Sequence, residues 1–285
     1  MRPTSVIFLI FSVILIASGV GVLFLAQSMA ESDDIALFAQ SLDENDNLVE
    51  IYDFTDQSID RISLTLNGAS VNVYGNSEKS YIELINFPKS TYDLSVSSKT
   101  INIDNTISLL SLVRIKENGL NFSGLRHYLN TGDYSDKPKT VNIYIKPEEE
   151  IKVYNFSISK GDVVIKDITN SADYSISIGS GSIEMSDIES RSTANLSVDS
   201  GNVAVNECFI ENISILIDSG DIDYTMNSME NQIIDAIVRE KGTITVNGKD
   251  RGSEYIYESD IDYMAVNAEV KSGNINIEAS MLFEN

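Results

Sequence analysis

From Val153 to Asn227 apolar and polar residues alternate in short runs, and the runs recur. The segments FSISKGDVVIKDI, YSISIGSGSIEMSDI, NLSVDSGNVAVNEC and SILIDSGDIDYTMN each set a glycine between two such runs. The glycines are Gly161, Gly181, Gly201 and Gly220, spaced 20, 20 and 19 residues apart. Weaker copies follow, EKGTITV with Gly242 and VKSGNINIEA with Gly273, after gaps of 22 and 31. Aligned on the glycine, the apolar residues fall into columns. Two positions after it stand Val163, Ile183, Val203, Ile222, Ile244 and Ile275; four after it stand Ile165, Met185, Val205, Tyr224, Val246 and Ile277. Three before it stand Ile158, Ile178, Val198, Ile217 and Val270, and five before it Phe156, Ile176, Leu196 and Ile215. Ahead of Gly242 the matching residues are Val238 and Ala236, displaced by one, which predicts an extra residue in that turn. Alternation at period two on both sides of a glycine turn predicts two short strands per repeat, each with one face inward.

A fixed period of this length marks a repeat architecture. A single repeat buries too few aliphatic side chains to offset the entropy of ordering its backbone. Stacked repeats bury their columns against one another and share backbone ladders, so an array can stand where a unit cannot. The pattern therefore predicts an all-β protein, a β-solenoid of ~20-residue coils, with a β-sandwich as the competing architecture. The turn glycine, in Ser-Gly-Asp or Ser-Gly-Asn, suits a position that needs positive φ.

The same alternation begins earlier. ISLTLNGASVNVYG is a degenerate copy with Gly68, Val71 and Val73 at altered offsets, and YIELINF, YDLSVSS and TINID continue it. Residues 106–139 break the pattern and predict an excursion or cap, partly helical, which ends at Lys137-Pro138-Lys139-Thr140. The solenoid domain is thus expected over 59–285, with Met281-Leu282-Phe283 plugging its open end. Residues 28–58 read as an acidic spacer with a short helix over 34–42.

Ahead of the spacer, Val6 to Ala26 is free of charge and rich in Ile, Leu, Val and Phe. At about 1.5 Å per residue it is long enough to cross the ~30 Å core of a bilayer. The reading is a transmembrane anchor over 5–27 behind a cytoplasmic stub of residues 1–4, with the rest outside the cell. Cleavage as a signal peptide near Ser28-Met29-Ala30 is the alternative, giving a secreted protein.

Charge agrees with export and narrows the partners. The chain holds 20 Lys and Arg against 43 Asp and Glu, a net −23, and only Arg2 among the bases precedes the apolar run. Such a domain is not built for nucleic acid or anionic lipid, which require basic patches. Acidic side chains also keep open strand edges from pairing. Cys208 is the only cysteine and shares a column with Ile168 and Ile188, which predicts a buried, inert thiol and no intrachain disulfide.

The run VNIYIKPEEEIKVYNFSISKGDVVIKDI, followed by SGS, SGN and SGD turns in phase, resembles the bacterial adhesin-like family of β-strand-repeat domains. That group was long catalogued as a domain of unknown function, and the resemblance covers roughly 62–279. It implies a right-handed solenoid on the outer face of the cell, with no catalytic residues to carry over. This chain departs from it in the 106–139 excursion and in the irregular spacing after Gly220.

Candidate chemistry is sparse. His127 is the only histidine, which leaves no Ser-His or Cys-His arrangement. Two positions before the glycine stand Ser159, Gly179, Asp199, Asp218 and Glu240. Adjacent coils would set Asp199 and Asp218 about 4.8 Å apart, close enough to share Ca²⁺ or to act as an acid/base pair. Turn-flanking aspartates are equally explained by local backbone bonding. Tyr74, Tyr81, Tyr92, Tyr144, Tyr154, Tyr174, Tyr224, Tyr255, Tyr257 and Tyr263 are either strand residues or sugar-stacking surfaces. Arg126 and Tyr128, beside His127 in the excursion, are candidate partner contacts. The expected function is a non-catalytic, adhesin-like envelope module needing no cofactor, which meets a wall polymer or an envelope protein. An accessory part of an envelope-stress sensor and a polysaccharide lyase or hydrolase are the competing classes.

Overall fold

The computed structural model describes residues 41–42, 47–87, 91–105, 114–116, 119–121, 137–228, 232–259 and 264–281. The apolar run 6–26, most of the acidic spacer, Arg126, His127, Tyr128, Tyr263, Leu282 and Phe283 lie outside them. Among the described residues every element is a strand. The first are β1 (Ser41–Leu42), β2 (Leu48–Asp53), β3 (Arg61–Leu66), β4 (Ala69–Tyr74), β5 (Tyr81–Ile85), β6 (Asp93–Ser97), β7 (Thr100–Asp104), β8 (Arg114–Lys116) and β9 (Gly119–Asn121). Next come β10 (Lys139–Tyr144), β11 (Val153–Lys160), β12 (Val163–Lys166), β13 (Asp173–Ser180), β14 (Ile183–Ser186), β15 (Glu189–Ser200) and β16 (Val203–Asn206). The last are β17 (Phe209–Ser219), β18 (Ile222–Ser228), β19 (Gln232–Lys241), β20 (Ile244–Val246), β21 (Lys249–Gly252), β22 (Glu254–Glu258), β23 (Met264–Ser272) and β24 (Ile275–Met281).

The chain divides into two units, 1–41 with 108–134, and 42–107 with 135–285. In the first, β8 and β9 form an antiparallel hairpin with Ile115 opposite Leu120. Of the excursion, expected to be partly helical, 114–116 and 119–121 are strand.

The second unit is a stack of rungs. Each rung is a long strand, a glycine corner and a short strand, and each pairs in parallel with its neighbours. β11, β13, β15 and β17 lie side by side in one sheet, and β12, β14, β16 and β18 in the other. Registry follows the sequence columns: Phe156 lies opposite Ile176, Ile176 opposite Leu196, and Leu196 opposite Ile215. Inward residues from both sheets merge in one core, in which Val163, Ile165, Val203, Val205 and Ile222 are fully buried. Tyr154 and Tyr174 stack in that core at 5.3 Å and 6° between planes.

Beyond Gly220 spatial order departs from chain order. β23 pairs with β17 on one side and β19 on the other, and β24 lies likewise between β18 and β20. The rung carrying Gly273 therefore sits inside the one carrying Gly242. Met281 pairs with Ser228 in an inner rung, and the other two residues of the expected plug lie outside the described residues. The displaced columns before Gly242 are explained by a bulge between Val238 and Lys241, as the spacing predicts.

The N-terminal end is built by the same departure. β3 and β4 form a rung next to β11 and β12, while β7 and β10, later in the chain, lie on its far side. Ala69 takes the glycine's place in this rung, and the positive φ of +75° moves back to Gly68, which accounts for the altered offsets. Ser41–Leu42, expected at the end of a short helix, is strand. Leu48–Asp53 pairs antiparallel with Tyr81–Ile85, and Phe54 is fully buried, so part of the expected spacer belongs to the sheet. Both ends finish in antiparallel strands: β6 on β7 and β5 on β10 at one, β22 on β19 and β21 on β20 at the other.

Candidate functional site

The glycine corner holds the rungs at their spacing. Gly161, Gly181, Gly201, Gly220, Gly273 and Gly242 have φ between +137° and +149°, and a Cβ at any of them would lie 1.7–2.0 Å from the carbonyl oxygen of the rung below. Backbones this close admit only glycine. After four of these glycines an Asp or Asn side chain then reaches across the gap. Asp162 Oδ1 accepts from the Ser182 N–H at 2.8 Å, Asn202 Oδ1 from Asp221 at 2.9 Å, Asp221 Oδ1 from Asn274 at 2.7 Å, and Asn274 Oδ1 from Thr243 at 3.1 Å. The ladder was written in the sequence as Asp, Ser, Asn, Asp, Asn and Thr directly after the glycines. It explains those side chains without a ligand.

One column away lie the candidate cation ligands. Asp199 and Asp218 fall between the paired residues Val198–Ile217 and Ser200–Ser219, so the register sets them opposite each other, both exposed. The reordered rungs bring Lys271 next to Asp218, between the pairs Ile217–Val270 and Ser219–Ser272. Lys271 Nζ lies 3.9 Å from Glu240 Oε1. The column thus reads Asp199, Asp218, Lys271, Glu240, with the ammonium group turned to the last of the carboxylates. Among the described residues no three His, Cys, Asp or Glu side chains come together as a metal site.

The long-strand sheet shows a feature not anticipated from the repeat. Its outer face carries two rows of short polar side chains across the strands. One row is Ser63, Asn155, Ser175, Asn195 and Ser214, and the next is Thr65, Ser157, Ser177 and Ser197, ending at Leu216. These positions carry no charge in a chain of net −23. Five strands at ~4.8 Å make a flat hydroxyl and amide field about 20 Å wide. The signal lay in the sequence six and four residues before Gly161, Gly181 and Gly201.

A family model described as Toastrack DUF4097 matches residues 38–285. The chain belongs to the Toastrack DUF4097 family. Three solved structures resemble this Toastrack protein. A candidate cell adhesion protein of Clostridium sporogenes is 15% identical, with 82% of this chain and 100% of that one covered and a TM-score of 0.48. Candidate adhesins of Parabacteroides distasonis and Parabacteroides merdae are 12% and 10% identical, each covering 82% of this chain and 96% of their own, with TM-scores of 0.34 and 0.31. No curated protein sequence matches the chain.

The remaining candidates fall into the body of the Toastrack domain. Cys208 is buried and free, its thiol directed at the Asn206 carbonyl at 3.3 Å. Burial pushes its pKa up to about 12, so the thiol stays protonated and inert. Tyr154, Tyr174 and Tyr224 lie in the core, where burial raises the pKa of each phenol. Tyr92 is buried and its hydroxyl donates to Glu50 Oε2 at 2.5 Å. Tyr81, Tyr144 and Tyr74 stack across three strands at 4.4 and 5.4 Å between centroids. Tyr144 thus has a tyrosine on either side, and all three rings are half-buried.

Proposed function

We propose that this Toastrack protein is a non-catalytic, adhesin-like contact module on the outer side of the cell envelope. It is held there by the apolar segment 6–26, winds as a right-handed solenoid and needs no cofactor. The reading takes up the adhesion role named for the similar proteins. It rests on one observation of this chain, the uncharged field from Ser63 to Ser214 on the long-strand sheet. Serine and asparagine are weak strand formers, yet here they repeat across a flat face. Hydroxyl and amide groups in register suit a neutral, hydroxyl-rich wall polymer better than a polyanion, which the net charge repels.

The test is sedimentation of the full-length chain with purified cell walls, with and without chelator. The expected result is retention that ignores chelator and falls several-fold in the double variant Ser177→Lys and Asn195→Lys. Retention that needs calcium would restore Asp199 and Asp218 as ligands. No retention would overturn the wall reading and favour a membrane-protein partner, the arrangement of a sensor accessory.

A further inference from the structure

The sheet edges of the stack are not equally defended. β21 at the end of the short-strand sheet is Lys249-Asp250-Arg251-Gly252, all exposed, with charge of both signs. β6 at one end of the long-strand sheet is Asp93-Leu94-Ser95-Val96-Ser97, with two small hydroxyl residues and an acid. Charge discourages edge pairing, and glycine is depleted in strands. β22, at the other end of that sheet, is Glu254-Tyr255-Ile256-Tyr257-Glu258. Its three central residues are strong strand formers, and Ile256 is 59% exposed.

The hydrogen bonds at both ends of β22 fix which backbone groups it presents. Val238 N–H donates to the Ser253 carbonyl at 2.8 Å, and Ser259 N–H to the Gln232 carbonyl at 3.1 Å. Bonded pairs alternate along an antiparallel ladder, so Ala236–Tyr255 and Ile234–Tyr257 are the bonded pairs in between. The N–H and C=O groups of Glu254, Ile256 and Glu258 therefore point away from β19, to the side where no described strand lies. The side chains of the same three residues share the outer face with Ile237, Asp235 and Ile233 opposite them. Glu269, one strand further in, is already taken by Arg239 at 2.8 and 2.9 Å. Asp235 Oδ1 is enclosed without a hydrogen-bond partner.

We propose that the open edge of β22 is a strand-addition site for an extended segment of another protein, an apolar residue flanked two positions away on each side by Lys or Arg. The added strand would take up the outward backbone groups of Glu254, Ile256 and Glu258. Its apolar residue would pack on Ile256 and its basic residues would face the two glutamates. A second copy of this chain does not fit the edge. Two-fold antiparallel pairing about Ile256 sets Glu254 against Glu258 twice, and like charges directly opposite are destabilising. The proposal is independent of which polymer the uncharged face meets, so its failure would leave the adhesin-like reading standing.

The probe is a capped nonapeptide with isoleucine at its centre, lysine two positions to each side and threonine elsewhere, added to the full-length chain. Residue-level hydrogen exchange reads the amides of Glu254, Ile256 and Glu258. Exchange slowed by about fivefold or more is expected with the lysine peptide, and no change with glutamates in place of the lysines. Ile256→Pro removes one outward N–H and no ladder bond, so it should abolish the protection while Tyr255 and Tyr257 stay protected. Equal protection by both peptides, protection by neither, or pairing of the chain with itself without peptide would each overturn the proposal.

Discussion

Between Gly161 and Gly220 each rung is laid on the one before it. Beyond Gly220 the chain skips a place, builds the rung of Gly242, turns back through β21 and β22, and fills the gap last with β23 and β24. The corners are nevertheless the same: Gly273 and Gly242 have φ of +149° and +137°, as the regular glycines do, and the same close approach to a neighbouring carbonyl. Rung geometry is thus a local property of glycine, flanking alternation and the Asx-type side chain that follows. Rung order is not. It depends on connections long enough to pass over a neighbour, and those lie in the irregular gaps of 22 and 31 residues.

The largest effect should come from removing the rung placed last. Deleting 264–285 takes away the strands that β17 and β19, and β18 and β20, pair with in common. Amides of 232–246 should then exchange at nearly unprotected rates while those of 153–206 stay slow. Adding the 264–281 peptide in trans should restore protection. If 232–246 stay protected after the deletion, that rung can seat directly on β17 and β18, and the contrast between the two regions fails.

The corner glycines sharpen the comparison from within the regular region. At Gly201 a Cβ would lie 1.7 Å from the Gly181 carbonyl oxygen, whereas at Gly68 it meets nothing within 4 Å. Gly201→Ala must separate two rungs and should cost about 3–5 kcal/mol from strain and overpacking together. Gly68→Ala, with only its positive φ to accommodate, should cost about 1 kcal/mol. Urea midpoints of the two variants read the difference, and equal midpoints would show that close approach does not set the rung spacing.

The second corner, after the short strands, is where the regular rungs carry strain. Asp167, Asp187 and Glu207 hold φ of +58°, +53° and +50°. Aspartate tolerates this region better than glutamate. Glu207→Gly should therefore stabilise the fold by up to ~1 kcal/mol, and Asp187→Gly by less, in the same urea titration.

How much of this was legible follows from where the information sits. The columns from Phe156 to Ile277 were readable because burial on one face of a strand leaves a period-two record in the sequence. The extra residue before Gly242 was readable for the same reason. Rung order was not, since Gly242 and Gly273 carry equivalent corners and nothing local says which neighbour each will meet. That order decides the neighbours in the outer columns: it puts Lys271 beside the candidate pair Asp199 and Asp218. The field from Ser63 to Ser214 was in plain view but polar, and a search for apolar columns and rare ligands passes over repeated serines.

Cys208 offers the cleanest contrast between core and surface. The folded thiol keeps its proton to about 12, while an unfolded cysteine releases it near 9.0. Desolvation is the main cause, since the neutral thiol is tolerated in the core and the thiolate is not. A group whose folded pKa is raised contributes stability that is complete below the unfolded value and is lost as pH climbs toward the folded one. Through Cys208, stability should therefore not vary with pH below about pH 8. Above 9.0 it should erode stability by up to about 1.4 kcal/mol per pH unit. Cys208→Ile, matching Ile168 and Ile188 in the same column, removes that slope and should change neutral-pH stability by less than about 1.5 kcal/mol. Urea titrations at pH 7 and pH 10.5 measure both. The buried tyrosines Tyr154, Tyr174 and Tyr224 titrate in the same direction. Part of the alkaline loss should thus survive the substitution, and the part that disappears is the contribution of this one thiol.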